Sequence, residues 1–145
     1  MQFWVGQKKL MVLYDRYTKP LCEKFGLTHM ELEVLAFLST NPQYDTAADI
    51  VRLRSLAKSH VSIAQKTLCE KGLLEHTRID GNRKSIHLRI TEKATDIVEE
   101  IRRTQVNFGL KLFAGISPSD IELCGKVFDR ICENADDIII NDKQF

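Results

Sequence analysis

The sequence predicts a mainly α domain that carries one small β-hairpin. Three observations predict it. Apolar residues recur at helical spacing along most of the 145 residues. Pro, Gly and Ser/Thr/Asp caps divide those stretches into separate helices. Around Asp80-Gly81-Asn82 the period changes to strict alternation, and Gly and Asn tolerate the positive φ that a tight hairpin turn demands.

Leu10, Leu13, Tyr14, Tyr17 and Leu21 mark a first helix, kinked near Pro20. "GLTHMEL" starts a second, with Thr28 as N-cap, Glu31 at the capping-box position, and Leu27 and Leu32 placed as a hydrophobic staple. It continues through Val34, Leu35 and Leu38 and stops before Pro42. "DTAADIVRLR" gives a short third helix, capped by Asp45 or Thr46, with Ile50 and Leu53 inward. After a break near Ser55-Leu56, "AKSHVSIAQKTLCEKG" gives a fourth, with Val61, Ala64, Gln65 and Leu68 inward and Gly72 as the stop.

Strands are predicted over 74–79 and 85–90, with Ile86, Leu88 and Ile90 on a buried face and His87 and Arg89 on the other. Ile97, Ile101, Phe108 and Leu112, with Val98 beside them, make a long fifth helix. "SPSD" restarts the chain, with Ser117 as N-cap, Pro118 at the first helical position and Asp120 three residues after the cap. Ile121, Cys124, Val127, Phe128, Ile131 and Ala135 then form one stripe up to "DDIII", which puts Cys124 in the core. Ile138 to Ile140 read as core or dimer seam, and a helical dimer interface is favoured because a lone small monomer would expose them.

Length bounds the chain to one domain with room for a core. No apolar run approaches the roughly 18 residues of a membrane span. Lys8 and Lys9 follow the first apolar residues instead of preceding them, unlike a signal peptide, so the expected location is cytoplasmic. Cys22, Cys69, Cys124 and Cys132 form no C-x-x-C pair and read as reduced thiols. His29, His60, His76 and His87 lack metal-ligand spacing, although His76 and His87 could approach across the hairpin. No cofactor is expected. P-loop, G-x-S-x-G, H-E-x-x-H and G-x-G-x-x-G patterns are absent, so the chain does not read as an enzyme.

Charge is unevenly placed. Arg52 to Lys93 holds ten bases against four acids, +6, while the whole chain is +1, leaving −5 for the remainder. A basic middle between acidic flanks is the asymmetry of a polyanion-binding module, with a solvated face of chance excess as the alternative.

Two short helices, a tight break and a two-stranded hairpin are the order of a winged helix-turn-helix. Its second short helix fits a major groove about 12 Å wide while the first crosses the backbone. Lys58, Ser59, His60, Ser62, Lys66 and Thr67 lie on the polar face of the fourth helix and are the candidate contacts to duplex DNA. Arg83 and Lys84 at the hairpin tip are candidates for the adjacent minor groove, and Arg78 for phosphates. For each, an ordinary solvent-facing surface is the competing explanation.

The run "LTHMELEVLAFL … TAADIVRLRSLAKSHVSIAQKTLCEKGLLEHTRIDGNRKSIHLRITEKA" resembles the MarR family of bacterial transcriptional regulators. The most specific parts are "LAKSHVSIAQKTLCEKGLL" and "NRKSIHLRIT". The resemblance implies a winged helix-turn-helix lobe over 27–94, flanked by dimerisation helices over 1–26 and 95–145. It implies a homodimer on a pseudo-palindromic operator, usually answering a small molecule or an oxidant; a repressor is the expected role. Tyr14, Tyr17 and Phe108 are the candidate effector contacts, and Cys22 the candidate redox thiol. Three positions depart from the family's pattern. The wing's usual Asp-x-Arg reads Asn82-Arg83-Lys84. A usual Ser is Ala57, so capping of the fourth helix falls to Ser55 or Ser59. Ile63 replaces a polar or basic residue, and either touches a thymine methyl or packs inward. Two other readings stay open: a thiol switch at Cys22, and a winged-helix module that binds protein.

Overall fold

A computed structural model of the chain describes the backbone of residues 3–77 and 86–141. It divides into two compact units, Met1–Phe108 and Gly109–Phe145. The elements are helices α1 (Phe3–Phe25), α2 (His29–Thr40), α3 (Ala47–Arg54) and α4 (Lys58–Glu70), strands β1 (Leu74–Thr77) and β2 (His87–Ile90), a 3-10 turn at Glu92–Ala94, and helices α5 (Thr95–Leu112) and α6 (Pro118–Asn141).

The first unit is built on α2, whose residues 31 to 38 are all buried. Such all-round burial needs cover on every side, and α2 packs against α1, α4 and β2. Leu32, Val34 and Leu35 are fully enclosed, with Ile50 of α3, Val61 and Leu68 of α4, and Ile101 of α5 in the same cluster. Thr28 caps α2 through the predicted box: its hydroxyl accepts from the Glu31 amide at 3.2 Å, and its own amide donates to Glu31 Oε2 at 3.0 Å. Leu27 and Leu32 are both in the core, as a staple requires.

Helix ends follow the sequence's punctuation. Gly72 ends α4 at φ +73°, with Leu73 N–H donating to the Leu68 carbonyl and Gly72 N–H to the Cys69 carbonyl, both at 2.9 Å. That is a Schellman ending, and Leu73 and Leu68 are buried together. Thr46 caps α3, receiving the Asp49 amide at 3.1 Å. Ser55 closes the same helix in the left-handed region at φ +50°, so it does not cap α4. Neither does Ser59: the N-cap of α4 is Ala57, with no side-chain capping bond.

Several packing expectations are corrected. Leu53 is 42% exposed instead of inward. Ala47, Ile50 and Val51 define the buried side of α3, and at 100° per residue Leu53 falls outside that arc while Arg54 falls within it. Leu10 and Leu13 are exposed too, and within the predicted α1 stripe only Leu21 reaches the core. Ile86 is 45% exposed; it precedes the paired stretch, and the buried face is carried by Leu88 and Ile90. Ile63 is 65% exposed, so it does not pack inward.

The sheet pairs Leu74 with Ile90, Glu75 with Arg89, His76 with Leu88 and Thr77 with His87, antiparallel. This register puts His76 and His87 on opposite faces, so they do not approach one another. The Asp80-Gly81-Asn82 turn, and strand residues 78, 79 and 85, lie outside the described residues.

In the second unit α6 opens as predicted. The Ser117 hydroxyl accepts from the Asp120 amide at 3.1 Å, with Pro118 at the first position. The helix carries the isoleucine run and extends to Asn141. None of its residues is buried, and Cys124 is exposed rather than core. Among the described residues of the unit, none buries its apolar stripe.

Candidate nucleic-acid interface

Helix α4 has two unlike faces. Val61, Ala64 and Leu68 are buried against the core, and Lys58, Ser59, His60, Ser62, Ile63 and Lys66 are exposed on the other side. One periodic sequence therefore seats the helix and leaves a polar, basic surface outward. Ala57 contributes no side-chain oxygen and its carbonyl takes the His60 amide at 3.0 Å, so the Lys58 and Ser59 amides remain for an outside acceptor, at the positive end of the helix dipole. Thr67 is half-buried and its hydroxyl donates to the Ile63 carbonyl at 2.6 Å, which commits it to the helix. Lys66 lies 3.9 Å from Glu70, a loose exposed pair that leaves the ammonium accessible. Arg78, Arg83 and Lys84 fall outside the described residues.

The exit of α4 is held by groups the sequence reading did not single out. Lys71 Nζ donates to the Gly26 carbonyl at 2.9 Å and to the buried Glu31 carboxylate at 2.7 Å. Lys93 Nζ donates to the Lys71 carbonyl at 2.8 Å, and the Thr91 hydroxyl to the Gly72 carbonyl at 2.6 Å. Arg54 pairs with the buried Glu33, tying the end of α3 to α2. The helical arc of Ala47, Ile50 and Val51 already contains Arg54, and that was the signal available for this contact. At the sheet, Arg89 pairs with Glu75. His87 Nδ1 meets Asp45 Oδ1 at 2.7 Å.

The three aromatic candidates come together within the first unit. Phe108 stands edge-on to Tyr14 and Tyr17, with ring centroids 5.4 and 5.3 Å apart. Gln105 Nε2 donates to the Tyr14 hydroxyl at 3.1 Å. Burial pushes the Tyr14 phenol above its usual range, with the Gln105 bond pulling the other way. Cys22 is half-buried, and burial followed by the nearby Glu23, Glu31 and Glu33 pushes its thiol up, away from the thiolate. Cys69 lies 3.5 Å from His76 Nε2, and burial raises it also. Among the described residues no three His, Cys, Asp or Glu side chains gather as a metal site. Nor is any described helix long and apolar enough to cross a membrane.

The arrangement can be set beside known proteins. A sequence profile described as MarR family matches residues 25–85, which run from the end of α1 into the hairpin. Over that stretch the chain is similar to the MarR family. Solved structures extend the likeness of fold to nearly the whole chain. A MarR-family transcriptional regulator from Silicibacter pomeroyi superposes with a TM-score of 0.77 at 18% identity, covering 88% of this chain and 86% of that one. A MarR-family regulator from Listeria monocytogenes, complexed with a 26mer DNA, gives 0.76 at 19% identity over 99% and 93%. The MepR–DNA complex of S. aureus gives 0.74 at 15% identity over 93% and 96%. The matched stretch contains α2, α3, α4 and β1. The fold class is thus the predicted one: mainly α, with a winged helix-turn-helix.

Proposed function

We propose that this protein is a homodimeric transcriptional repressor that binds a pseudo-palindromic operator and releases it on binding a small effector. The observation that carries the reading is α4, seated by a buried apolar stripe and presenting Lys58, Ser59, His60, Ser62 and Lys66 outward within a MarR winged helix. Two structural relatives solved with DNA support it. Lys58 and the first-turn amides meet phosphates, while Ser59, His60 and Ser62 face base edges, with Ile63 available to a thymine methyl. Thr67 contributes least, its hydroxyl being held by the helix. Arg78, Arg83 and Lys84 of the wing supply the flanking groove contacts.

In this reading residues 27–94 are the DNA-binding lobe, and 1–26 and 95–145 the dimerisation region, working in the cytoplasm. The uncovered apolar stripe of α6 supports a partner helix there, because an exposed face of Val127, Phe128, Ile131 and Ile138 is costly in water. Tyr14, Tyr17 and Phe108 form the aromatic wall against which an effector rests. Effector binding alters the separation of the two recognition helices, which a duplex fixes at about 34–36 Å.

The test is fluorescence anisotropy with DNA from immediately upstream of the coding sequence, against scrambled DNA, across a salt series. The expected result is a preference of roughly 10³-fold or more with a steep negative salt slope. Lys58→Ala should weaken both DNAs and make the slope shallower by about one, the mark of a lost phosphate contact. Equal, weak binding to both fragments, unchanged by Lys58→Ala, would overturn the reading and favour a protein partner for the basic face.

A further inference from the structure

Helix α2 buries two carboxylates, and their partners differ. Glu31 takes the Thr28 amide and Lys71 on Oε2. Glu33, 6% exposed, takes Arg54 on Oε2, but no described residue donates to its Oε1, which is shut off from solvent. Among the described residues it is the only buried side-chain oxygen or nitrogen left in that condition. A buried acceptor without a donor is costly, so this oxygen calls for an N–H or O–H.

The same unit gathers the three aromatic rings, with Phe108 edge-on to Tyr14 and Tyr17. The charges of Glu33 and Arg54 both act on the Tyr14 phenol, the carboxylate raising it and the guanidinium lowering it, so the ion pair lies in the phenol's neighbourhood. The Tyr14 hydroxyl accepts from Gln105 at 3.1 Å and keeps its own proton to give. We propose that Glu33 Oε1, the Tyr14 hydroxyl and the three rings bind an uncharged aromatic amide or lactam, whose N–H donates to Glu33 and whose carbonyl accepts from Tyr14. The proposal rests on the effector reading above and names the effector's chemical class.

Charge decides the class. Arg54 already balances Glu33. A cationic ligand would be desolvated beside the guanidinium, and an anionic one beside the unpaired oxygen, each without a counter-charge of its own. A plain hydrocarbon would leave Oε1 as it is. An amide or lactam brings donor and acceptor side by side on a flat ring, and the ring can meet Tyr14, Tyr17 and Phe108 edge to face. The position also offers a route to the basic surface. Arg54 is the last residue of α3, and α3 packs against α4, so a ligand drawn onto the ion pair bears on the helix that carries Lys58 and His60.

The experiment titrates the full chain with four probes of nearly one shape, followed by ligand-detected NMR: benzamide, acetophenone, benzamidinium and benzoate. Acetophenone has a methyl group where benzamide has its NH2, so the pair isolates the donor. Benzamide should bind roughly tenfold or more tighter than acetophenone, and tighter than either ion. The preference should vanish when both partners become apolar, in Glu33→Leu with Arg54→Leu, while Phe108→Ala should weaken benzamide and acetophenone alike. Equal binding of benzamide and acetophenone would overturn the proposal, since a water on Oε1 would then suffice. So would failure of all four to saturate, or a preference that survives the double change. The comparison on the unaltered protein stands even if the double variant does not fold. Anisotropy on the upstream DNA with saturating benzamide separates the two readings. A benzamide preference with unchanged DNA affinity would keep the site and sink its effector role, and DNA that never binds would sink the function reading while the titration still decides the site.

Discussion

Helices α4 and α6 are built from the same kind of sequence and end in different circumstances. Both are amphipathic, both start where the sequence says, and both carry an apolar stripe at helical spacing. On α4 the stripe is gone from the surface: Val61 and Leu68 are fully buried beneath α2 and α3. On α6 nothing is buried, and Phe128 and Ile139 are 54% and 64% exposed. The stripe states that a face must be covered; it does not state by what. For α4 the cover comes from the same chain, so its opposite face is free to read a ligand. For α6 no described residue of its own unit supplies the cover, and the proposed function assigns that place to a second copy.

That contrast can be broken most forcefully at Leu68. Leu68→Ala removes a fully enclosed side chain from the shared core and should lower unfolding free energy by about 2–5 kcal/mol in urea titration. The loss should not depend on protein concentration, because the cover is intramolecular. A concentration-dependent loss would mean that the lobe's core extends across a subunit boundary.

The complementary change is at α6. Val127→Asp with Phe128→Asp should turn a dimer into a monomer in sedimentation equilibrium, raising its dissociation constant by roughly 100-fold or more. The far-ultraviolet spectrum of the winged-helix lobe should be retained. An unaffected dimer would place the seam elsewhere, and the stripe would need another partner.

The smallest effect concerns how α3 starts. The Thr46 hydroxyl, and then Arg52, hold the Asp49 carboxyl below its usual range against the opposing effect of burial. A lowered carboxyl contributes stability above its unfolded value, near 3.9, and loses it as pH falls through the folded value. Asp49→Asn should therefore cost about 1 kcal/mol at pH 7 and progressively less below about pH 4, by chemical denaturation at each pH. A difference that does not shrink in acid would show the cost to be one of side-chain shape instead of charge.

Much of this was legible in advance because it depends on near neighbours. The Thr28 and Ser117 caps, the Gly72 stop and the inward triad Val61, Ala64 and Leu68 each follow from residues within a turn or two. The errors arise where a long-range partner decides. Leu53 has the right spacing on paper, yet the buried side of α3 is set by Ala47, Ile50 and Val51, and Arg54 at its margin pairs with the buried Glu33. Cys124 has helical spacing too, but no described residue of its unit covers it. Of the candidate contacts, α4 presents Lys58, Ser59, His60, Ser62 and Lys66 as the polar face required, whereas Thr67 is partly turned into its own helix.

By itself, then, the sequence determined the identity and order of the elements, the caps of α2 and α6 and the stop of α4, and which residues of α4 look outward. These are consequences of backbone preference and of side-chain periodicity, both local. Only the tertiary structure decided that His76 and His87 point to opposite faces, that Lys71 reaches back 40 positions to Glu31, and that Asp45 meets His87 across 42. Those contacts join residues distant in sequence, and no period along the chain records which two segments folding will bring within 3 Å.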